Sequence, residues 1–468
     1  MKAYRYILCV LALCGLTACE NFLDITPQGQ VERDDLLSTA DGVEDAMYGV
    51  YASMRNNSLY GQEMSFFTLD VLAQYFYDGS EMNDNLNQLL AYNYKHSAVQ
   101  TTFETLWTAM YKNISNVNSV LSDGLAAGAE SYPGKVFRGE ALGLRAFMHF
   151  DLVRLFAPAY TRNPDAVGIP YATTFSLDTP DFVSVREVYA HIVADLLEAE
   201  RLLADEASYA GRSDYMTKRQ VHFNIHAVRA TLARVYLCMG DHAKAYAYAR
   251  KVMDDSGLSL LRKEQITGDV AGVVSEQEGI FGIFSSSEFY DNVKRILWER
   301  TNGTSLDLRS DFEDYFEVSD QRRSAYVDQR EDGNYRFVKL LDTYKLNSIS
   351  RQDERISGLN LIRLPEMYYI AAESLLRGEQ HDRSGAAALL AQVRQSRGCT
   401  EPIDETTDET VMEAIFADSY RELMGEGQTF FAMKRLNRDI RSVRGLTVTA
   451  SDDIYVVPVP DIEYEYRN

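Results

Sequence analysis

Residues Asn224–Met253 read NIHAVRATLARVYLCMGDHAKAYAYARKVM, and this stretch decides the fold that the sequence predicts. Apolar residues recur in its first half at three- and four-residue steps, which places one apolar stripe on a helix. Gly240-Asp241 then interrupts the pattern, and a second, alanine-rich helix follows. The stripe consists of Ile225, Val228, Leu232, Val235 and Met239. The stretch is therefore predicted to form a helical hairpin.

The small and aromatic residues of this hairpin follow the spacing of a tetratricopeptide repeat. Ala233, Tyr236, Ala245 and Ala249 occupy the positions where such a repeat has small or aromatic side chains. A single hairpin cannot bury its own apolar face, so others must stack against it. The sequence therefore predicts a mainly α protein with a tetratricopeptide-like scaffold of helical hairpins.

Helical periodicity also occurs on both sides of the hairpin. It extends the scaffold over about residues 36–255 and again over about residues 361–437. The helix at 185–203 is expected to pair with the one at 137–156, which it follows along the chain. The helices predicted outside the hairpin are 39–54, 61–76, 103–121, 137–156, 185–203, 365–378, 386–393, 410–424 and 429–436.

Two parts of the chain lack this periodicity. Residues 256–360 contain short strand-like runs at 279–284 and 335–338, and they are predicted to form a large irregular, loop-rich insertion. Residues 78–97 are rich in Asn and Asp and are expected to form a long loop, a kind of segment that often carries function. We therefore predict a single domain over residues 19–468, in which ligands bind at the irregular parts.

The composition restricts the partners of this domain. Hydrophobic residues make up 46% of the 468 residues, which is ample for a core, and charged residues make up 25%. The formal net charge is -22, and a surface this acidic repels phosphate backbones. Nucleic acid is therefore not an expected partner.

The N-terminus has the pattern of a secretory leader. Lys2 and Arg5 precede an apolar run, which is too short to span a bilayer, and Leu16-Thr17-Ala18-Cys19 follows. The small residue before Cys19 resembles the lipobox of bacterial lipoproteins, so residues 1–18 are predicted to be removed and Cys19 acylated. An ordinary signal peptide with a chance cysteine is the alternative. Cys238 lies in a predicted helix and is expected to be a free thiol.

Motifs for catalysis or metal binding are weak in this sequence. It contains no GxSxG elbow, no GxGxxG after a strand and no phosphate-binding loop. His222 and His226 have the spacing of two metal ligands, but no third ligand is apparent nearby. Acidic groups such as Asp311/Glu313/Asp314 arise by chance in a chain with 69 acids. We therefore expect a protein that is not an enzyme and has no cofactor or bound metal.

The aromatic residues outside the helical stripes are the candidate ligand-binding residues. Flat rings offer apolar faces to sugar C–H groups, and neighbouring polar side chains bind hydroxyl groups. We expect one site formed jointly by two regions of the chain. The candidate residues are Tyr75, Tyr77, Asp78, Tyr92 and Tyr94 in the first region, and Tyr290, Asn292, Arg295 and Trp298 in the second.

Several stretches, taken together and in order, resemble the SusD/RagB-like outer-membrane nutrient-binding lipoproteins. Cys19–Pro27 looks like the segment that follows the lipobox in this family, and Glu140–Ala146 resembles one of its early helices. Leu361–Glu366 and Arg421–Gly427 are similar to two later motifs. The chain departs from the family pattern at Gln428-Thr429, where an arginine is usual.

This resemblance implies a function as well as a fold. It implies a lipid-anchored protein on the exterior of the outer membrane, which captures glycan nutrients and lies as a lid on a TonB-dependent β-barrel transporter. Some members bind peptides, so a peptide-capturing protein is an alternative. A transporter lid that binds no ligand is a further alternative.

Overall fold

The computed structural model describes residues 33–77, 83–266, 277–284, 287–298, 306–341, 358–465 and 467, and only the backbone of residues 287–290. This part of the chain is largely helical, as the periodicity predicts. None of the helices described there has both the length and the apolar character needed to cross a membrane.

In the described part of the chain, nine α-helices precede the insertion and seven follow residue 320, the first of these seven still within the insertion. The first group is α1 (Arg33–Leu37), α2 (Ala40–Met54), α3 (Thr68–Leu72), α4 (Asp84–Leu90), α5 (Ser97–Ser122), α6 (Gly134–Phe156), α7 (Val185–Leu203), α8 (Ile225–Met239) and α9 (His242–Asp255). Helix α10 (Ser287–Leu297) lies within the insertion. The second group is α11 (Gln321–Tyr326), α12 (Leu364–Arg377), α13 (Arg383–Ser396), α14 (Asp408–Glu422), α15 (Thr429–Leu436), α16 (Asp452–Tyr455) and α17 (Ile462–Glu465).

The hairpin at residues 224–253 is confirmed as α8 and α9. The Asn224 side chain accepts hydrogen bonds from the first amides of α8 and so caps that helix. Gly240 ends α8 at φ 76°, a left-handed conformation that glycine adopts without strain. Ala245 and Ala249 are fully buried, which lets α9 pack closely against both α8 and α12. Helices α6 and α7 also pack together, as expected.

Short strands complete the fold. A four-stranded antiparallel sheet has the order β1 (Phe76–Tyr77), β5 (Asp307–Leu308), β7 (Tyr335–Phe337) and β6 (Val327–Gln329). Two-stranded antiparallel sheets join β2 (Val167–Pro170) to β3 (Phe182–Ser184), β4 (Gly279–Phe284) to β8 (Gly358–Arg363), and β9 (Ile440–Arg441) to β10 (Thr447–Val448). Both strand-like runs predicted in the insertion are therefore strands.

Three predicted segments differ from the structure. The helix expected at 61–76 is reduced to the five residues of α3, because tight turns occupy residues 55–67. The loop expected at 78–97 contains α4, which the Asn83 side chain caps and which buries Leu86, Leu89 and Leu90. The insertion contains α10, whose Val293, Ile296 and Leu297 are buried. Polar composition concealed both of these short amphipathic helices.

The motif at Arg421–Gly427 lies in a buried ionic network. Glu422 accepts hydrogen bonds from Arg363 at 2.8 Å and from Arg397 at 2.9 Å. Burial by itself raises the pKa of Glu422, but Arg397 and Arg363 lower that pKa well below its ordinary value. Lys434 and Arg435, which follow this motif in the chain, have other partners: Lys434 donates to the Arg154 carbonyl and Arg435 to Glu373.

Candidate functional site

Three of the candidate tyrosines belong to the core. Tyr75 is completely buried, and Tyr92 and Tyr94 expose only 6% and 7% of their surfaces. The Tyr75 ring packs 4.2 Å from the ring of Tyr420, centroid to centroid. The rings of all three are therefore covered, and a ligand has no open ring face to contact.

The hydroxyl groups of these tyrosines have partners within the protein. Tyr75 donates to the Tyr420 carbonyl and lies 2.7 Å from the Thr429 hydroxyl. Tyr92 donates to the Leu72 carbonyl at 2.8 Å, and Tyr94 donates to the Ile454 carbonyl at 2.7 Å. Burial raises the pKa of each phenol. Tyr75 and Tyr94 thus join this region to the C-terminal part of the chain, whereas Tyr92 joins two parts of the region itself.

Some of the candidates lie outside the described residues. Cys19 and Asp78 are among the residues that are not described, and Tyr290 is described only as part of the backbone of α10. Tyr77, Asn292, Arg295 and Trp298 are described in full, and each is at least partly accessible. These four define the candidate site.

Helix α10 presents amide and guanidinium groups beside an early turn of the chain. Asn292 Nδ2 donates to Gln62 Oε1 at 2.9 Å and lies 3.4 Å from Asn57 Oδ1. Arg295 Nη2 donates to Asn292 Oδ1 at 2.7 Å, and the Arg295 side chain is exposed. The buried face of α10 holds this array in place. The result is a row of hydrogen-bonding groups that water, and therefore a ligand, can reach.

Trp298 lies immediately after α10 and is half-buried. The guanidinium carbon of Arg336 is 3.2 Å from the centre of the Trp298 ring, so one face of the indole is covered by a cation. Asp328, the register partner of Arg336 across β6 and β7, accepts a hydrogen bond from Arg336 Nε at 2.7 Å. This ion pair orients the guanidinium over the ring.

The four-stranded sheet brings the two predicted regions together. Tyr77 pairs in register with Asp307 across β1 and β5. Arg330 Nε lies 3.5 Å from Asp307 Oδ1, and Arg330 Nη1 donates to the Trp298 carbonyl at 3.3 Å. Tyr77 and Trp298 are thus linked through two intervening residues, Asp307 and Arg330. Of the first region, however, only Tyr77 contributes an accessible ring among the described candidates.

Two of the acidic residues considered for catalysis form ion pairs with arginines, and of the two histidines considered for metal binding His222 is buried and His226 is partly buried. Arg309 donates to Asp311 at 2.5 Å, and Arg323 donates to Glu313 at 2.6 Å. His222 Nδ1 lies 3.8 Å from the buried carboxylate of Glu140. Burial lowers the pKa of His226 to about 4. Across the described ranges, no three His, Cys, Asp or Glu side chains come together in a group that could hold a metal ion.

Sequence reasoning missed the residues that support the candidate site. Gln62 lies 230 positions from Asn292, and Arg336 lies 38 positions from Trp298, so no local pattern links either pair. In the sequence, Gln62 falls within a segment predicted to be helical, and Arg336 falls within a strand-like run. A charged residue beside an aromatic residue in that run is the one signal that pointed towards Arg336.

Models of one family match most of the chain. A model described as "Starch-binding associating with outer membrane" matches residues 21–237, and the model of the SusD family matches residues 298–455. SusD-like protein P2 of Formosa agariphila is 23% identical to the chain, over 99% of the chain and 97% of that relative. SusD-like protein P25 of the same organism is also 23% identical, over 91% of the chain and 88% of its own length.

Solved structures share the fold. A SusD superfamily protein from Bacteroides thetaiotaomicron matches with a TM-score of 0.72 at 22% identity, over 91% of this chain and 98% of that one. A SusD-like carbohydrate binding protein from Bacteroides vulgatus matches with a TM-score of 0.72 at 19% identity, over 91% and 96%. The tetratricopeptide-like scaffold, the order of the matched segments and these structures agree, and the chain belongs to the SusD/RagB-like family.

Proposed function

We propose that this protein is a cell-surface lipoprotein that captures glycans and delivers them to a TonB-dependent outer-membrane transporter. The family description and the carbohydrate-binding relative support the sugar ligand. The observation that carries the proposal is the accessible row formed by Asn292 and Arg295 beside the ring of Trp298. Sugars are bound by this combination of hydrogen-bonding groups and an aromatic ring.

The proposed ligand site comprises Tyr77, Asn292, Arg295 and Trp298, with Gln62 as an added member. Asp78 follows Tyr77 directly in the chain, and Tyr290 precedes Asn292 on α10, so both remain proposed members. Tyr75, Tyr92 and Tyr94 serve as buried supports for the strand and turns that carry the site. Because the site has few aromatic rings and its polar contacts are exposed to solvent, we expect a dissociation constant on the order of micromolar to millimolar.

The proposed anchor is acylated Cys19, which holds the domain at the outer membrane facing the cell exterior. The residues before Cys19 and the family description support this placement. No catalytic step is part of the proposal, and Asp311 and Glu313, two of the three acids considered for one, are engaged with arginines.

Calorimetry of the mature protein against panels of glycans and of peptides tests the ligand class. We expect heat from at least one glycan and loss of that signal in Trp298→Ala, while circular dichroism stays unchanged. Binding to peptides alone assigns the protein to the peptide-capturing members of the family instead. Binding of a glycan with equal affinity by a folded Trp298→Ala variant places the site elsewhere on the scaffold.

A further inference from the structure

Helices α6, α8, α12, α14 and α15 line a cavity in the scaffold, which we call the scaffold cavity. Among the described residues, none of those proposed to bind glycan lines it. Its volume is about 80 Å³. At about 10–15 Å³ for each water-sized group, this space holds roughly six non-hydrogen atoms. Even one sugar ring with its hydroxyl groups exceeds that size, so the scaffold cavity suits a smaller kind of ligand.

The wall of the scaffold cavity carries a net positive charge. Of the described residues, three arginines and two glutamates line it, which gives a net charge of +1 (three minus two). Asp151, which pairs with Arg154, and Arg377, which pairs with Glu373, lie outside the wall and cancel one another. The charged residues of the wall are Arg154, Arg234, Arg435, Glu366 and Glu373. A single negative charge on a ligand therefore balances this wall.

A thiol in the same wall lies in the field of these arginines. Cys238 lines the scaffold cavity and is a free cysteine. Burial raises the pKa of the Cys238 thiol, and the charges of Arg154 and Arg435 oppose that rise. The two guanidinium groups therefore favour negative charge at this part of the wall.

Two of the arginines have an N–H group that is buried without an acceptor among the described residues. Arg234 is exposed at 3%, and its Nε and Nη2 donate to Glu366 at 2.6 Å and 2.5 Å, whereas its Nη1 has no partner there. Arg154 is exposed at 9%, and its Nη1 donates to Gln428 at 3.2 Å, whereas its Nε has no partner there. A buried donor without an acceptor is costly, and a carboxylate oxygen forms strong hydrogen bonds with guanidinium groups.

The rest of the wall is mainly apolar. The guanidinium carbon of Arg154 lies 3.9 Å from the centre of the Phe431 ring, so the charged and apolar parts of the wall adjoin. Met412, Phe416 and Ala432 are only partly buried, so the scaffold cavity reaches the surface between α14 and α15. A short alkyl group gains contacts with the apolar wall that an inorganic ion does not. The buried apolar side chains of the wall include Leu237, Ile370, Ile415 and Phe431.

We propose that the scaffold cavity binds a short-chain monocarboxylate of about three or four carbons. Its carboxylate accepts hydrogen bonds from Arg154 and Arg234, and its alkyl group packs against the apolar wall. Because the wall joins α6 and α8 to the C-terminal helices α12, α14 and α15, the bound carboxylate also stabilises the packing of the scaffold. This site is separate from the proposed glycan site and goes beyond the proposed function.

Calorimetry of the mature protein with propionate tests this inference. Propionamide, a neutral analogue of the same shape, and chloride are titrated at the same ionic strength in a buffer that otherwise lacks chloride. We expect propionate to bind at least about tenfold more tightly than propionamide, because a charged acceptor forms the stronger hydrogen bonds with guanidinium groups. We expect chloride to give no heat of binding. Propionate should also raise the Tm in proportion to the logarithm of its concentration.

Two leucine variants assign the binding to this cavity. Ala432→Leu fills the space from α15 and keeps every arginine, so propionate should bind about tenfold more weakly or less. Ala417→Leu is the matched control, because Ala417 is partly exposed on α14 and is not among the described residues of the wall. Arg234→Lys keeps a positive charge beside Glu366 but removes the unpaired N–H group, and it should also weaken binding about tenfold. Circular dichroism checks each fold, and the two leucine variants decide the question if Arg234→Lys does not fold.

Each other outcome overturns the inference. Equal binding of propionate by wild type and a folded Ala432→Leu variant places the carboxylate site elsewhere. Propionamide that binds as tightly as propionate shows that the cavity does not select a negative charge, and chloride that binds as tightly makes it a site for inorganic anions. Propionate that gives neither heat nor a change in Tm rules the site out. Glycan binding is measured separately, so none of these results decides the proposed function.

Discussion

The guanidinium of Arg336 lies over the indole of Trp298, 3.2 Å from its centre. This contact covers one face of the only accessible tryptophan in the described residues, since Trp107 is exposed at 2% and donates its ring N–H to Glu463 at 2.9 Å. A ligand can therefore stack on one face of Trp298 at most. Because Arg336 is itself paired with Asp328, it also holds the Trp298 ring in one orientation.

Replacing Arg336 with Ala is expected to release the Trp298 ring. A cation–π contact contributes about 0.5–2 kcal/mol, so the freed ring should become more mobile and more accessible to water. We expect a red shift in tryptophan emission and a glycan affinity that falls by roughly two- to tenfold. Arg336→Lys retains the charge and serves as the control. Unchanged emission in a folded Arg336→Ala variant would contradict the contact.

Variants of α10 separate the ligand contacts from the rest of the helix surface. Asn292→Ala and Arg295→Ala each remove hydrogen-bonding groups, with an expected loss of about 0.5–1.5 kcal/mol of binding free energy. Asp291→Ala is the matched control, because Asp291 is exposed on the same helix. Calorimetry against the same glycan measures the three variants side by side. An equal loss in all three points to a general effect on α10 and not to specific contacts.

Tyr75→Phe tests the structural role of the buried tyrosines. The change removes a hydroxyl that bonds the Tyr420 carbonyl and Thr429 within the core. Leaving these groups unpaired should lower the free energy of unfolding by about 1–3 kcal/mol. Urea unfolding measures this loss, and calorimetry should give wild-type glycan affinity below the transition. A loss of affinity with unchanged stability would return Tyr75 to the ligand site.

The scaffold could be predicted because its signal is local. Helices such as α6 and α8 bury a recurrent set of apolar residues, and turn residues such as Gly240-Asp241 mark their ends. Which of the candidate aromatic residues are accessible could be predicted only in part, because an aromatic residue in a polar stretch can stack on a ligand or fill the core. Tyr75 lies in the core because of Tyr420, 345 positions further along the chain. No local pattern contains that information.

The N-terminal anchor predicts a specific change in location. Cys19→Ala removes the residue that carries the acyl chains, and each buried CH₂ contributes about 0.8 kcal/mol to membrane binding. The variant should therefore leave the outer-membrane fraction and appear as soluble protein. Metabolic labelling with a fatty-acid analogue should mark the wild type only. Retention of an unlabelled Cys19→Ala variant at the cell surface would mean that contacts with a partner suffice.

The buried carboxyl of Asp70 predicts a pH dependence of stability. Burial raises the pKa of Asp70 to about 8, although hydrogen bonding by the Gly425 amide and the nearby Lys339 charge oppose the rise. In the unfolded chain this pKa is 3.8, so the folded protein binds the proton more tightly. Proton binding by Asp70 therefore stabilises the folded protein fully below about pH 4. This stabilisation is lost as the pH rises towards 8, and the free energy of unfolding falls by up to about 5 kcal/mol over that range.

Asp70→Asn removes this titration while retaining an oxygen that accepts the hydrogen bond from Gly425. The variant should gain stability relative to wild type as the pH rises from 5 to 8, with the largest gain at pH 8. Urea unfolding of both proteins at several values in this range measures the difference. Burial lowers the pKa of Lys339 to about 8. This shift makes the stability of the folded protein rise with pH, but mainly above pH 8. A difference between the two proteins that does not change with pH would show that Asp70 titrates at its ordinary pKa in the folded state.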